Sequence, residues 1–261
     1  MKEEIVDHWS RRSSSYSRFV QEGLSKRYER EGWQTIFTEA IGKEKCKMLD
    51  VGTGPGVVAF QLAELGHEMT AVDLSDGMLE EARQNALRYG LDVDFRKGDA
   101  EALPFPDNTF DVVVAKYVLW TVPDPEKALS EWHRVLRPGG KVVYVDGNWT
   151  LDLERSWWRR RWCGFANFLN AVSEHRSPFQ KEESFNDKVR PQLWSIHVDR
   201  PSADIEMMRR AGFDDVQTMN GLKRRVLRGT RLIRYGYWRD YFLVSGTKAM
   251  GLTAEKAAGA K

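Results

Sequence analysis

The chain has 261 residues, 41% of them hydrophobic and 30% charged, with a formal net charge of +2. That length suits one large domain, or one domain with an inserted cap, and is ample to bury a core. Only Cys46 and Cys163 are present, in unrelated contexts, which excludes a disulfide framework and a cysteine-based zinc site, so no metal is expected.

The first twenty residues are polar and charged and do not read as a signal peptide. Apolar runs such as "VVVA" and "FLV" are far too short to span a bilayer, so a cytoplasmic protein is expected. Charge is uneven: acidic residues outnumber basic ones over 1–149, and the balance reverses over 150–240. A basic C-terminal part can face an anionic substrate, a lipid surface or RNA, or be a set of solvated helix faces.

In chain order, "KMLDVG" is an apolar run ending in glycine and predicts a buried strand. "GVVAFQLAELG" has helical spacing and closes on Gly66, and "EMTAVDL" is the next strand. "SDGMLEEARQNALRYG" predicts a helix with Ser75 as N-cap and Gly90 beyond its end. Strands "VDFRKGDA" and "FDVVVAKYVL" follow, then helix "PEKALSEWHRVLRPGG" and strand "KVVYVDG". Strands separated by helix-length crossovers imply a doubly wound α/β sheet. After Gly147 the rhythm breaks into a stretch rich in Trp and Arg, and it returns at "SADIEMMRRAGFDDVQTMNG", with "DYFLVSGTKA" as a last strand. The expected division is a helical arm over 1–40, a core over 41–147 and 201–249, a helical cap over 148–200 and a tail over 250–261. The cap is expected over the C-terminal edge of the sheet, where such folds bind ligands.

Gly52, Gly54 and Gly56 follow the first strand as G-x-G-x-G, and Val57 stands where a dinucleotide fingerprint places its third glycine. Asp73 ends the second strand, placed for two ribose hydroxyls, and Asp99 ends the third, placed for an adenine amino group. With these residues in view, "DVGTGPG", "AVDLSDGMLEEAR", "GDAEALPFPDNTFDVV" and "RVLRPGGKVVYVD" resemble the successive motifs of the class I S-adenosylmethionine-dependent methyltransferases, of the ubiquinone/menaquinone-methyltransferase type. The resemblance covers roughly residues 40–147 and, more weakly, 203–249.

The resemblance implies a seven-stranded Rossmann-like sheet whose last strand is antiparallel, with S-adenosylmethionine as cofactor and S-adenosylhomocysteine as product. It implies that Gly52, Thr53, Gly54 and Gly56 face the amino-acid end of the cofactor. Asp73 would hold the ribose, Leu74 and Met78 would pack near the adenine, and Asp99 and Ala100 would contact it. Lys116 would lie beside the sulfonium, where the family carries a small or polar residue; a cation there is unfavourable, so Lys116 is expected to turn away to a carboxylate. "HWSRRSSSYS" resembles an arm that folds over the cofactor, with Tyr16 contacting it and Trp9 or Arg12 behind, or else simple helix packing.

Methyl transfer from a sulfonium is a direct displacement in which protein positions the reactants, so a base matters only for a protonated acceptor. Tyr117, His8 and His197 are the candidate bases, with His175 beside them; His67 reads as structural and His133 as a solvent-facing helix residue. The cap tryptophans suit a planar or apolar acceptor, but most are expected to form the cap's own core. Arg159, Arg160 and Arg161, with Lys223, Arg224, Arg225 and Arg228, can bind carboxylate or phosphate. The expected function is methylation of a small-molecule acceptor, aromatic or anionic, by a monomer or homodimer. Nucleic acid is not expected as a partner, since no recognition module is appended. The alternatives are an RNA or protein methyltransferase using the basic cap, and a cofactor-binding protein that transfers nothing.

Overall fold

The computed structural model describes residues 1–149, 157–173, 189–236 and 241–250. Two helices open the chain, α1 (Lys2–Ser25) and α2 (Arg27–Ile41). Strand and helix then alternate through β1 (Lys47–Val51), α3 (Val57–Glu64), β2 (Glu68–Asp73), α4 (Asp76–Tyr89) and β3 (Asp94–Lys97). β4 (Phe110–Lys116), α5 (Pro125–Val135) and β5 (Leu136–Gly147) complete the first part. Beyond it lie α6 (Trp157–Ser173), α7 (Ser202–Arg210), β6 (Phe213–Met219) and β7 (Tyr241–Lys248).

The seven strands form one sheet in the order β3-β2-β1-β4-β5-β7-β6. Neighbours from β3 to β5 pair in parallel, and β7 runs antiparallel to both β5 and β6. The order reverses between β1 and β4, the kind of switch point at which doubly wound sheets open a crevice. This is the expected Rossmann-like methyltransferase fold, with the last strand antiparallel.

Side-chain alternation sorts the core into two layers. On β4 and β5, Val113, Ala115, Val142 and Tyr144 face one cluster with Trp132 and Phe213. Val112, Val114, Val143 and Val145 face the other with Ile36, Phe37 and Leu62. Trp33, Ile36, Phe37 and Ile41 make the buried stripe of α2, so α2 is a layer of the core and α1 alone lies over the cleft. Local caps set the helix ends: the Ser75 hydroxyl accepts the Met78 N–H at 3.2 Å and Gly90 closes α4 in the left-handed region. Asp124 caps α5 by accepting the Lys127 N–H at 3.0 Å, with Pro125 in the first turn. Among the described residues no helix is long and apolar enough to cross a membrane.

Candidate functional site

A cleft of about 1040 Å³, counting its mouth, opens where β1 to β4 end. Its floor is the loop after β1. Gly52 and Gly54 have φ of +65° and +55°, a region in which other residues are strained. A Cβ on Gly52 would strike the Val118 side chain at 2.5 Å, whereas one on Gly54 would point into the cleft, 3.8 Å from Tyr16. The loop therefore presents bare backbone to the cleft.

Beneath it sits Asp50, 1% exposed, a cleft residue that the reading of the sequence passed over. Its Oδ2 accepts the Thr53 hydroxyl at 2.6 Å and the Ala59 N–H at 3.2 Å, while Oδ1 has no hydrogen-bond partner among the described residues. Burial lifts its carboxyl to about 7 against the opposing pull of those two bonds. An acid raised in the native state keeps a proton that the unfolded chain releases. Stability is then greatest below the ordinary value of 3.8 and is lost as pH rises through about 7. At roughly 1.4 kcal/mol per unit this is worth on the order of 2–4 kcal/mol. Asp50→Asn is expected to remove that slope and make the free protein more stable than wild type at pH 8. Urea unfolding at pH 5 and pH 8 checks it, and equal slopes in the two proteins would count against the buried acid.

Asp73, at the end of β2, accepts the Gly54 N–H on Oδ2 at 2.8 Å and the Ser75 N–H on Oδ1 at 2.9 Å. Burial raises its carboxyl and the backbone bonds pull it back. Each oxygen keeps a further lone pair toward the cleft, which a vicinal diol matches. Leu74, Met78, Asp99 and Ala100 also line the cleft. Asp99 has acquired an unforeseen partner: Lys2, on the first turn of α1, bridges Asp99 at 2.7 Å and Glu101 at 2.6 Å. Lys2, Asp99 and Glu101 all line the cleft at that end.

α1 lies along α4 on a polar seam. Ser10 meets the Ser75 hydroxyl at 2.8 Å, Ser14 donates to Glu81 at 2.6 Å, and Gln21 donates to Asn85 at 2.7 Å. Asn85 in turn donates to the Pro55 carbonyl at 3.1 Å, so α1, α4 and the glycine loop are joined. Ile5, Val6, Trp9 and Tyr16 reach the cleft; Arg12 is not among its lining residues. The Trp9 and Tyr16 rings meet edge-on at 5.6 Å. α1 thus packs on α4 and also borders the cleft.

Lys116 ends β4, Tyr117 follows it, and both line this cleft and a second cavity. Lys116 does turn aside, but among the described residues not to a carboxylate: its Nζ sits 4.7 Å from the Trp33 ring centroid and 4.3 Å from that of Tyr117. Burial lowers it to about 8, with Glu29 and Asp50 opposing the shift. Tyr117 has φ +62°, rare for an aromatic residue, and its N–H bonds the Val145 carbonyl at 2.8 Å. Its ring packs edge-on against Trp149 at 5.0 Å.

The other candidate bases lie elsewhere. His8 is buried on α1 beside Trp9, and His197 bonds the Pro191 carbonyl at 2.7 Å; neither lines the cleft. His175 falls outside the described residues. His67 accepts the Cys46 N–H at 3.3 Å, a structural role. His133 is not solvent-facing: β6 covers it, with Phe213 edge-on at 5.0 Å.

Cap and basic residues also depart from expectation. Trp157 and Trp158 stack on each other at 3.9 Å and stay exposed, as do Phe165 and Phe168, so they are not a core of the cap. Arg160 and Arg161 are exposed on the same helix, and nothing is described of the Arg159 side chain. Arg225 pairs with Glu39 at 2.7 Å and Arg228 covers the Tyr28 ring, so both serve α2 rather than the cleft. Lys223 and Arg224 do not line it either. What the cap does supply is 189–200. Val189 and Leu193 pack on Ile5, and Arg200 enters a buried ionic network with Asp146 and Asp204.

Residues 49–144 match the family model described as a methyltransferase domain. A demethylmenaquinone methyltransferase of Renibacterium salmoninarum is 40% identical over 115 residues, covering 44% of this chain and 47% of that one. One from Thermus thermophilus is 42% identical over 109 residues, covering 41% and 50%. A ubiquinone/menaquinone biosynthesis C-methyltransferase of Zymomonas mobilis is 27% identical over 190 residues, covering 71% and 74%. The chain spans about half the length of the first two relatives it matches. Among solved structures, the [4+2]-cyclase SpnF superposes with a TM-score of 0.56 at 21% identity, covering 84% of this chain and 80% of that one. The phosphoethanolamine N-methyltransferase 2 of Haemonchus contortus, in complex with S-adenosylmethionine, gives 0.54 at 18%, covering 83% and 52%. At these identities the superpositions bear on the fold alone. Motif order, sheet order and family match agree: residues 49–144 are similar to a methyltransferase domain, and they lie in a sheet with the Rossmann-like methyltransferase strand order.

Proposed function

We propose that the protein transfers the methyl group of S-adenosylmethionine to a small-molecule acceptor. The observation that carries this reading is the convergence, in one cleft, of the left-handed glycine loop, Asp50, Asp73 and Asp99. Their order matches a nucleoside with an amino acid attached. Gly52, Thr53 and Gly54 would receive the amino-acid end, with the unpartnered Asp50 Oδ1 directed at its ammonium group. Asp73 would take the ribose hydroxyls on the lone pairs its backbone bonds leave, and Asp99 the adenine amino group. Leu74 and Met78 would enclose the base, with Tyr16 closing over the loop from α1.

The bound sulfonium supplies an activated methyl group, and the protein contributes position and exclusion of water. α1 serves both, because its serine seam holds Trp9 and Tyr16 over the cleft. The relatives named as demethylmenaquinone methyltransferases favour a flat, largely apolar acceptor, in keeping with the aromatic residues beyond Tyr117.

The test is transfer of labelled methyl from S-adenosylmethionine into a cell extract separated into small molecules, lipid, RNA and protein. Label in the small-molecule or lipid fraction is the expected result. Label in RNA or protein would move the acceptor to the basic surface. Binding of the cofactor without label in any fraction would favour a protein that uses the fold for something else, as the cyclase named above does.

A further inference from the structure

Behind the cofactor cleft lies a second cavity of about 720 Å³, counting its mouth. The two share Tyr16, Val57, Lys116 and Tyr117 as a common wall. Its lining is mostly aromatic and aliphatic: Phe19, Val20, Leu24, Trp33, Val226 and Tyr241. The walls come from α1, α2, Val226, Leu227, Arg231 and Tyr241; no described residue of the expected cap contributes. Glu29, Arg30, Gln61 and Arg231 edge it, with Arg231 paired to Glu29 at 2.8 Å and to Glu22 at 3.1 Å, and Arg30 to Glu64 at 3.9 Å. A concave, mostly apolar chamber edged by charged groups, against a cofactor-sized cleft, is the form a small-molecule site takes.

We propose that this second cavity is the acceptor chamber, that it takes a flat aromatic acceptor bearing an ionisable hydroxyl of the phenol or enol class, and that Lys116 in the shared wall accepts the hydroxyl proton. The inference rests on the methyltransferase reading. Flatness follows from the rings of Phe19, Trp33, Tyr117 and Tyr241, which offer faces and edges for stacking. The hydroxyl follows from Lys116, the amine common to both cavities.

Three features suit Lys116 to take a proton. First, among the described residues no carboxylate lies within ion-pair distance to hold it charged; it rests on two ring faces. Second, burial brings it to about 8, so a useful fraction is neutral near neutral pH. The groups facing it are Glu29 from α2 and Asp50 from β1, which raise it, and Arg231, which lowers it. Tyr16 of α1 and Tyr117 are the other titratable side chains of the shared wall. A cationic methyl donor in the adjoining cleft would push the amine further toward the neutral form. Third, the ammonium formed is stabilised over Trp33 and Tyr117 by cation–π attraction.

The step balances without a further reagent. The acceptor O–H bond breaks and its proton forms a bond with the Lys116 Nζ lone pair. The oxygen keeps the electron pair and becomes the nucleophilic phenolate or enolate. The proton later leaves through the mouth of the chamber.

The experiment uses 4-nitrophenol, a flat phenol whose anion is coloured, titrated against the full chain loaded with S-adenosylhomocysteine so that no turnover intervenes. In wild type the bound probe is expected to ionise at lower pH than the free probe. In Lys116→Met it should ionise at higher pH than free, since burial then acts without a base. Leu24→Trp, which fills the chamber, should weaken probe binding at least tenfold and leave S-adenosylhomocysteine affinity intact, which also certifies folding. Phe19→Glu, at a position 37% exposed, is a second variant, with a charge that repels the phenolate. No probe binding, or equal binding in both chamber variants, overturns the chamber. Equal colour titrations in wild type and Lys116→Met overturn the role of Lys116. Failure of wild type to bind S-adenosylhomocysteine overturns instead the proposed function on which this rests.

Discussion

Arg200→Met is expected to lower the unfolding free energy by about 3–5 kcal/mol, the range for removing one partner of a buried ion pair. The Arg200 side chain is 0% exposed. Its Nη2 meets Asp146 at 3.0 Å and Asp204 at 2.6 Å, and its Nε meets Asp204 at 2.8 Å. Burial works against the guanidinium charge, but the two carboxylates outweigh it and hold Arg200 above its ordinary value. The plane of the group lies between Trp194 and Phe242, 4.7 and 5.2 Å from their centroids. Methionine can fill that space but leaves Asp146 and Asp204 buried without a counter-charge. Asp146 also holds the Trp120 N–H and the Trp149 indole, each at 2.9 Å, so the turn after Tyr117 should loosen too. Urea unfolding followed by Trp fluorescence measures the loss. Adding Asp146→Asn and Asp204→Asn to Arg200→Met should recover part of it, because the orphaned charges are then gone. A change below about 1 kcal/mol in the single variant would mean the network is relaxed by water.

What was legible in the chain is what is local or periodic. The alternation in "DVVVA" separates Val113 from Val112 and Val114 onto two core faces, as pleating demands. Ser75 could be named as an N-cap because its partner, the Met78 N–H, is three residues away. The glycine loop and Asp73 were legible because their geometry is set by the strand ends that carry them.

What was not legible depends on distant partners. Nothing near Lys2 signals Asp99, and nothing near Lys116 signals Trp33, since the sheet must form before either pair meets. His133 sits at the edge of the apolar stripe of α5, which suggested solvent, but the late strand β6 covers it with Phe213. Asp50 was hidden in plain view: a carboxylate in an apolar strand reads as core pattern until the unpartnered Oδ1 is found. Trp157 and Trp158 misled in the other direction, because helical spacing of aromatics does not say which face another element covers.

Asp73→Ala is expected to weaken S-adenosylhomocysteine binding by roughly 1.5–3 kcal/mol, the range for hydrogen bonds to a charged group, or about 10- to 150-fold. Two contributions enter this figure and can be separated. Asp73 shapes the loop, through the Gly54 and Ser75 N–H groups, and would also accept the ribose hydroxyls. Losing the first alters the loop for every ligand; losing the second matters only when the hydroxyls are present. Titration calorimetry of wild type and Asp73→Ala, each with S-adenosylhomocysteine and its 2′,3′-dideoxy analogue, forms a double-mutant cycle across the protein–ligand contact. A ribose contact requires that the analogue bind wild type more weakly than S-adenosylhomocysteine does, while Asp73→Ala hardly distinguishes the two. If both proteins discriminate equally, Asp73 acts through the loop alone and the ribose assignment falls. Unchanged affinity for S-adenosylhomocysteine in Asp73→Ala would go further and remove both roles. Asp73→Asn should fall between, because it keeps one acceptor oxygen where the carboxylate offers two.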